Sequence, residues 1–176
     1  MRNLASKFLL AAALLLTGHA YAQEKMPEDK SKRPSPPATV STTAGGAEVT
    51  IDYSRPSLKG RKAFGELVPY NAVWRTGANE ATTFTVDKPV KIEGQALPAG
   101  KYALFTIPTA TEWTIIFNKT ANQWGAFKYD EKQDALRVKV KAKKLAQPVE
   151  TFTIVTDKAG KVSLQWENTQ ADFQVK

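Results

Sequence analysis

Apolar side chains recur at every second position through most of this chain, and almost nowhere at helical spacing. Val49, Ile51 and Tyr53 alternate with Glu48, Thr50 and Asp52. Trp113, Ile115 and Phe117 share one face of a run whose other face carries Thr114, Ile116 and Asn118. Leu136, Val138, Val140 and Ala142 alternate with Arg137, Lys139, Lys141 and Lys143. Phe84 and Val86, then Val162, Leu164 and Trp166, then Phe173 and Val175 obey the same rule. Side chains of a strand point to opposite faces in turn, so this period predicts strands with one face buried. Lys101 to Ile107 is apolar on both faces and predicts a central strand. Gly45-Gly46, Glu93-Gly94, Pro98-Ala99-Gly100, Pro108, Asp157 to Gly160 and Asn168 supply turn signals between the runs. The expected fold is all-β: an antiparallel β-sandwich or a partly open barrel. Alternation lapses at Leu58 to Tyr70 and at Thr120 to Gln133, which leaves room for one or two short helical turns.

The chain ahead of the strands has a different character. Arg2 and Lys7 flank the start of an apolar run, Phe8 to Leu16, and Ala20-Tyr21-Ala22 reads as an A-x-A cleavage site. Residues 1–22 are therefore expected to be a secretory signal cleaved after Ala22, leaving a protein of the periplasm or the extracellular space. The run is shorter than the roughly 20 apolar residues of a membrane span, and no later stretch approaches that length, so no span is expected. Residues 23–38 carry Pro27, Pro34, Pro36 and Pro37 among charges and few apolar groups. Such a segment cannot bury enough surface to offset its ordering entropy, which predicts a disordered tether. Residues 39–176 remain as a single domain.

Cleavage would also remove the only histidine, His19, from a chain that has no cysteine. The Ser-His-Asp and Cys-His nucleophile systems drop out, with the usual His/Cys zinc and copper sites. No cofactor and no metal are expected; Asp130, Glu131 and Asp134 are a conceivable calcium cluster, but the EF-hand pattern is absent. Loss of Arg2 and Lys7 takes the net charge from +8 to +6, with 17 acids retained. A basic protein favours anionic partners such as acidic glycans or envelope phosphates. Nucleic acid is not expected, because no recognised binding motif is present. Oligomeric state is not legible.

Four stretches hold residues that could bind or react. Asp52 to Arg61 gathers Arg55, Lys59 and Arg61 around Pro56 and Gly60, with Ser54 and Ser57 as hydroxyl donors. Guanidinium groups suit bidentate capture of carboxylate or phosphate; the same residues also suit a solvated loop or ion pairs at the rim. Val73 to Thr82 brings Trp74, Arg75, Asn79 and Glu80 to a turn at Gly77. That set equips a polar-ligand site, or else Arg75 pairs with Glu80 across the turn and Trp74 packs inside. Asn122 to Asp130 crowds Trp124, Phe127 and Tyr129 around Gly125, either as a glycan-binding face or as a cap on the core. The row Arg137, Lys139, Lys141 and Lys143 reads as protection of an edge strand, or as a contact for an anionic polymer. Carboxylate catalysis needs a matched pair, and spacing singles out none. Glu80 is the best single candidate.

The stretches SRPSLKGRKAFGELVPYNAVWRTGANEATTF (from Ser54), LPAGKYALFTIP (from Leu97), EWTIIFNK (from Glu112) and NQWGAFKYDEKQDALRVKV (from Asn122) resemble a bacterial family of exported proteins catalogued as domain of unknown function 2911. The resemblance runs from about Pro36 to the C-terminus. It implies export and a single all-β domain, and it supplies no catalytic residues. The expected role is a non-catalytic envelope binding module for a polar, anionic or glycan-like ligand. Its site would comprise Arg55, Lys59, Arg61, Trp74, Arg75, Asn79, Glu80 and Trp124. The alternatives are a carboxylate-dependent hydrolase using Glu80, and a structural or chaperone-like envelope protein acting through a sheet edge.

Overall fold

The computed structural model describes residues 29–176. Nine strands follow one another: β1 (Pro37–Ala44), β2 (Ala47–Ser54), β3 (Thr83–Val86), β4 (Val90–Ile92), β5 (Gln95–Leu97), β6 (Gly100–Pro108), β7 (Glu112–Asn118), β8 (Asp134–Thr156) and β9 (Lys161–Gln174). Seven of them form one antiparallel sheet in the order β1-β2-β3-β6-β7-β8-β9, and β4 and β5 make a separate hairpin. The alternating residues set the register. Val49 and Ile51 of β2 lie opposite Val86 and Phe84 of β3, and all four are buried. The β1–β2 turn has two residues, Gly45 (φ 60°) and Gly46 (φ 78°), a backbone that only glycine adopts without strain.

The sheet curls until its inner face closes on itself. Phe84 of β3 and Phe173 of β9 are far apart in strand order, yet their rings lie 6.3 Å apart. At the open side, the chain after β2 pairs with the far half of β8. Leu58 N donates to Glu150 O (3.0 Å), and Phe152 N donates to Pro56 O (2.8 Å). The Tyr53 hydroxyl donates to Ile154 O and accepts from Ile154 N. The all-β antiparallel expectation is thus the observed fold, in a form close to a partly open barrel. The core holds an aromatic cluster in which Trp74 stacks on Trp166 (5.8 Å) and meets Phe64, Trp113 and Phe152 edge to face. β6 is central, as its two apolar faces imply. Tyr102 and Leu104 face the main core, while Ala103 and Phe105 join Ile116 and Ala81 in a smaller cluster on the other face.

In the row Arg137 to Lys143, the residues up to Lys141 pair with β7 alone, and β9 joins β8 only from Ala142 onward. Two of its lysines are paired with acids: Lys139 with Glu112 (2.9 Å) and Lys143 with Asp172 (2.9 Å). One expectation is corrected. The second half of the expected tether, residues 29–38, lies against the domain. It contains a 3-10 turn at Lys30–Lys32, and β1 already starts at Pro37. Specific polar contacts with the 79–80 turn hold it, in place of the apolar surface it lacks. Of the two lapses in alternation, Thr120 to Gln133 contains a 3-10 turn at Glu131–Gln133, while Leu58 to Tyr70 forms turns without helix. The expected signal over 1–22 and the first part of the tether lie outside the described residues. Among the described residues no helix is long and apolar enough to cross a membrane.

Candidate functional site

Residues 74–82 run alongside β6 and are shaped by close backbone approaches. Trp74 exchanges both backbone hydrogen bonds with Thr106 (2.8 and 2.9 Å), which turns its side chain into the aromatic core. The indole Nε1 donates to Gly77 O (3.0 Å). A Cβ on Gly77 would stand 2.8 Å from Ser54 O, so no other residue fits there. Buried Thr76 takes φ 57°, an uncommon conformation for a β-branched residue. The Thr82 hydroxyl bonds its carbonyl (2.6 Å). The tight loop leaves Arg75 on one side and Asn79 and Glu80 on the other.

On the Arg75 side lies a cleft of about 260 Å³. Its cations are Lys59, Arg61 and Arg75, and among the described lining residues none is a carboxylate. Trp74 and Trp166 form its floor, and Pro34 and Ser35 of the N-terminal segment form a wall. Arg61 is held in place by two carbonyls, Nε donating to Leu58 O (3.0 Å) and Nη2 to Ser57 O (3.3 Å). Lys59 adopts φ 50°, and its backbone N donates to Glu150 Oε1 (2.8 Å). Its ammonium has no carboxylate partner among the described residues. Arg75 is half-buried. Its Nε is buried with no hydrogen-bond partner among the described residues, and burial pulls the guanidinium pKa below its ordinary value. A buried charged donor left unmatched is costly.

On the other side of the loop the carboxylate is matched. Glu80 accepts from Lys30 Nζ (2.8 Å) and from Arg33 Nη1 (2.7 Å). Arg33 is only 12% exposed and also lies over the Trp124 ring at 5.8 Å. Asn79 Nδ2 donates to Ser35 O (3.0 Å). Burial raises the Glu80 pKa, but hydrogen bonds from Lys30, its own backbone N–H and Arg33 outweigh that and bring it to about 2. Arg75 and Glu80 do not pair across the turn.

The eight expected site residues therefore divide. Lys59, Arg61, Trp74 and Arg75 meet in the cleft, with Trp74 as buried floor rather than an open platform. Asn79, Glu80 and Trp124 belong to the contact that fixes the N-terminal segment. Arg55 belongs to neither, since its Nε donates to Phe152 O (3.3 Å) and Nη2 to Thr153 Oγ1 (2.8 Å), closing the curled sheet. The aromatic loop divides too. Tyr129 packs on Phe105 (5.1 Å) and bonds Asp134, capping the smaller cluster, while Trp124 and Phe127 stay exposed. Asp130, Glu131 and Asp134 do not converge: Asp130 bonds Lys132 N, and the other two engage Arg137. Pro34, Ser35 and Trp166 were not anticipated as cleft residues. Trp166 was legible as core, but nothing in the pattern placed it beneath Arg75.

Fold and cleft together define an all-β domain with a cationic pocket, free of carboxylates among its described lining residues, at one end of a curled sheet. The model of a family of proteins of unknown function, DUF2911, matches residues 35–175, and the chain belongs to that family. No curated protein matches the chain, and no solved structure does.

Proposed function

We propose that this protein is a non-catalytic binding module for a small anionic ligand, acting outside the cytoplasm after removal of its signal segment. The observation that carries the reading is the cleft of Lys59, Arg61 and Arg75 in which, among the described residues, no carboxylate lines the wall and Arg75 Nε is unmatched. An anion entering there supplies the missing acceptor and neutralises a half-buried charge, so binding relieves a cost present in the free protein. The volume suits a phosphate, a sulfate or a compact carboxylate or phosphosugar, not an extended polymer.

The hydrolase alternative finds little support. A general acid needs a raised pKa, whereas Glu80 is held at about 2 by two cations. The sheet-edge alternative finds the two ends of the sheet drawn together, with the Thr42 hydroxyl donating to Asp157 O (3.0 Å).

The test is calorimetric titration and thermal unfolding with inorganic phosphate, sulfate, citrate and a hexose phosphate. At least one of these should bind the wild type and raise its midpoint, as linkage requires. Arg75→Met should abolish the effect without lowering the midpoint in buffer. Absence of binding by all four anions, or equal binding by Arg75→Met, would overturn the proposal.

A further inference from the structure

Among the described residues the large apolar side chains left exposed are Tyr70, Trp124, Phe127 and Val155. Two of these lie in one loop: Trp124 is 58% exposed and Phe127 is 85% exposed. A bare phenylalanine is unusual in a loop whose base is so firmly held. Gly125 N donates to Asn79 O (3.0 Å), Ala81 N donates to Gln123 O (2.9 Å), and Tyr129 is packed beneath. Phe127 and Lys128 form the tip of a tight turn closed by Tyr129 N donating to Ala126 O (3.2 Å). Gly125 is at φ 65°, and a Cβ there would meet the Phe127 ring at 2.9 Å. The glycine thus lets that ring fold back over the loop's own backbone, and with exposed Trp124 on the same loop the tip is an apolar knob.

The charges around the knob are unequal. Glu80, Asp29 and Glu131 are each engaged by cations: Lys30 and Arg33, Lys32, and Arg137. Asp130 is used in capping the 3-10 turn at Lys132 N. Lys119, Lys128 and Lys132, on the same loop, are exposed and have no carboxylate partner among the described residues. Two exposed aromatic rings on a loop whose lysines lack carboxylate partners among the described residues are the combination that settles at a lipid–water interface, with rings at headgroup depth and ammonium groups on phosphates.

We propose that the Trp124–Lys128 tip docks this protein reversibly onto an anionic lipid surface. A glycan platform offers an open aromatic face ringed by hydrogen-bonding groups. Here Arg33 lies over the Trp124 ring, and the most exposed ring, Phe127, is followed by a cation. The docking point is separate from the anion cleft, so either proposal stands without the other.

The test is co-sedimentation and tryptophan fluorescence with two vesicle types, phosphatidylcholine alone and phosphatidylcholine mixed with phosphatidylglycerol. All proteins compared carry the same N-terminus. Trp74, Trp113 and Trp166 are buried, so a blue shift on binding reports Trp124. The wild type should partition onto the anionic vesicles with a blue shift, and roughly tenfold less onto the neutral ones. The double variant Trp124→Ala/Phe127→Ala should lose partitioning. Lys128→Gln, a surface change that leaves both rings in place, should weaken it about fivefold. Three results would overturn the proposal: no partitioning of the wild type, partitioning unchanged in the double variant, or retention by a soluble polysaccharide that depends on Trp124 without any vesicle binding.

Discussion

Around Glu80 the charges are matched: Lys30 and Arg33 close on one carboxylate, and Arg33 covers a tryptophan ring. Across the same short loop, Lys59, Arg61 and Arg75 line a cleft with no carboxylate among its described lining residues. The first arrangement is complete within the protein and serves to hold the N-terminal segment down. In the second, Arg75 Nε is buried with no partner among the described residues. Basic residues near a loop therefore mean little until the partner of each is known. The same residue type makes the point at Arg55, whose donors are taken up by Phe152 O and Thr153 Oγ1.

The largest effect should come from the cleft floor. Trp74→Ala removes a buried ring from a cluster of five and should cost about 3–5 kcal/mol in chemical denaturation. A cost near zero would mean that Trp74 serves a ligand and not the fold. Next in size is a paired measurement on two arginines. Arg55→Met should lose about 1–2 kcal/mol with its two hydrogen bonds. Arg75→Met should be neutral or stabilising by up to about 1 kcal/mol, since it deletes an unmatched donor. Equal losses at the two positions would erase the contrast between complete and incomplete sites.

Glu80→Gln should cost about 1 kcal/mol at neutral pH, a modest figure because Glu80 is 40% exposed. Its pH signature is more specific. The folded pKa of about 2 lies below the unfolded value, about 4.3 for a glutamate. The contribution is therefore present above the unfolded value and lost as pH falls toward 2. Urea midpoints at pH 7 and pH 3 should differ less in Glu80→Gln than in the wild type. The smallest effect is expected between pH 5.5 and 8. No histidine follows His19, and no other side chain has an unperturbed pKa in that range. Denaturation midpoints should be nearly flat there. A steep change near pH 6.5 would expose a strongly perturbed carboxyl or lysine and would reopen the case for catalysis.

The strands were legible because burial in a strand has a period of two, as at Val49, Ile51 and Tyr53. The Gly45-Gly46 hairpin was legible because its backbone demands glycine. The cleft's three cations and Trp74 could be anticipated, since Lys59, Arg61, Trp74 and Arg75 lie in two cation-bearing loops. The rest depended on contacts with no periodic trace. Arg55 and Arg75 look alike until residues nearly a hundred positions away from Arg55 supply its acceptors. The N-terminal segment looked unattached because composition measures apolar burial, and ion pairs to Glu80 hold it instead.

The closure of the curled sheet bears on the order in which the molecule can assemble. Ser57 bridges Thr151, 94 positions later, and Tyr53 reaches Ile154 at 101. Neither contact can form until almost all of the strands are available. The β1–β2 and β6–β7 hairpins are local and can form early, but the barrel-like seal must wait for the far half of β8. Such a topology belongs with slow folders, on the scale of roughly milliseconds to seconds. A chain released in the N-to-C direction would spend that interval with its aromatic interior still open to water.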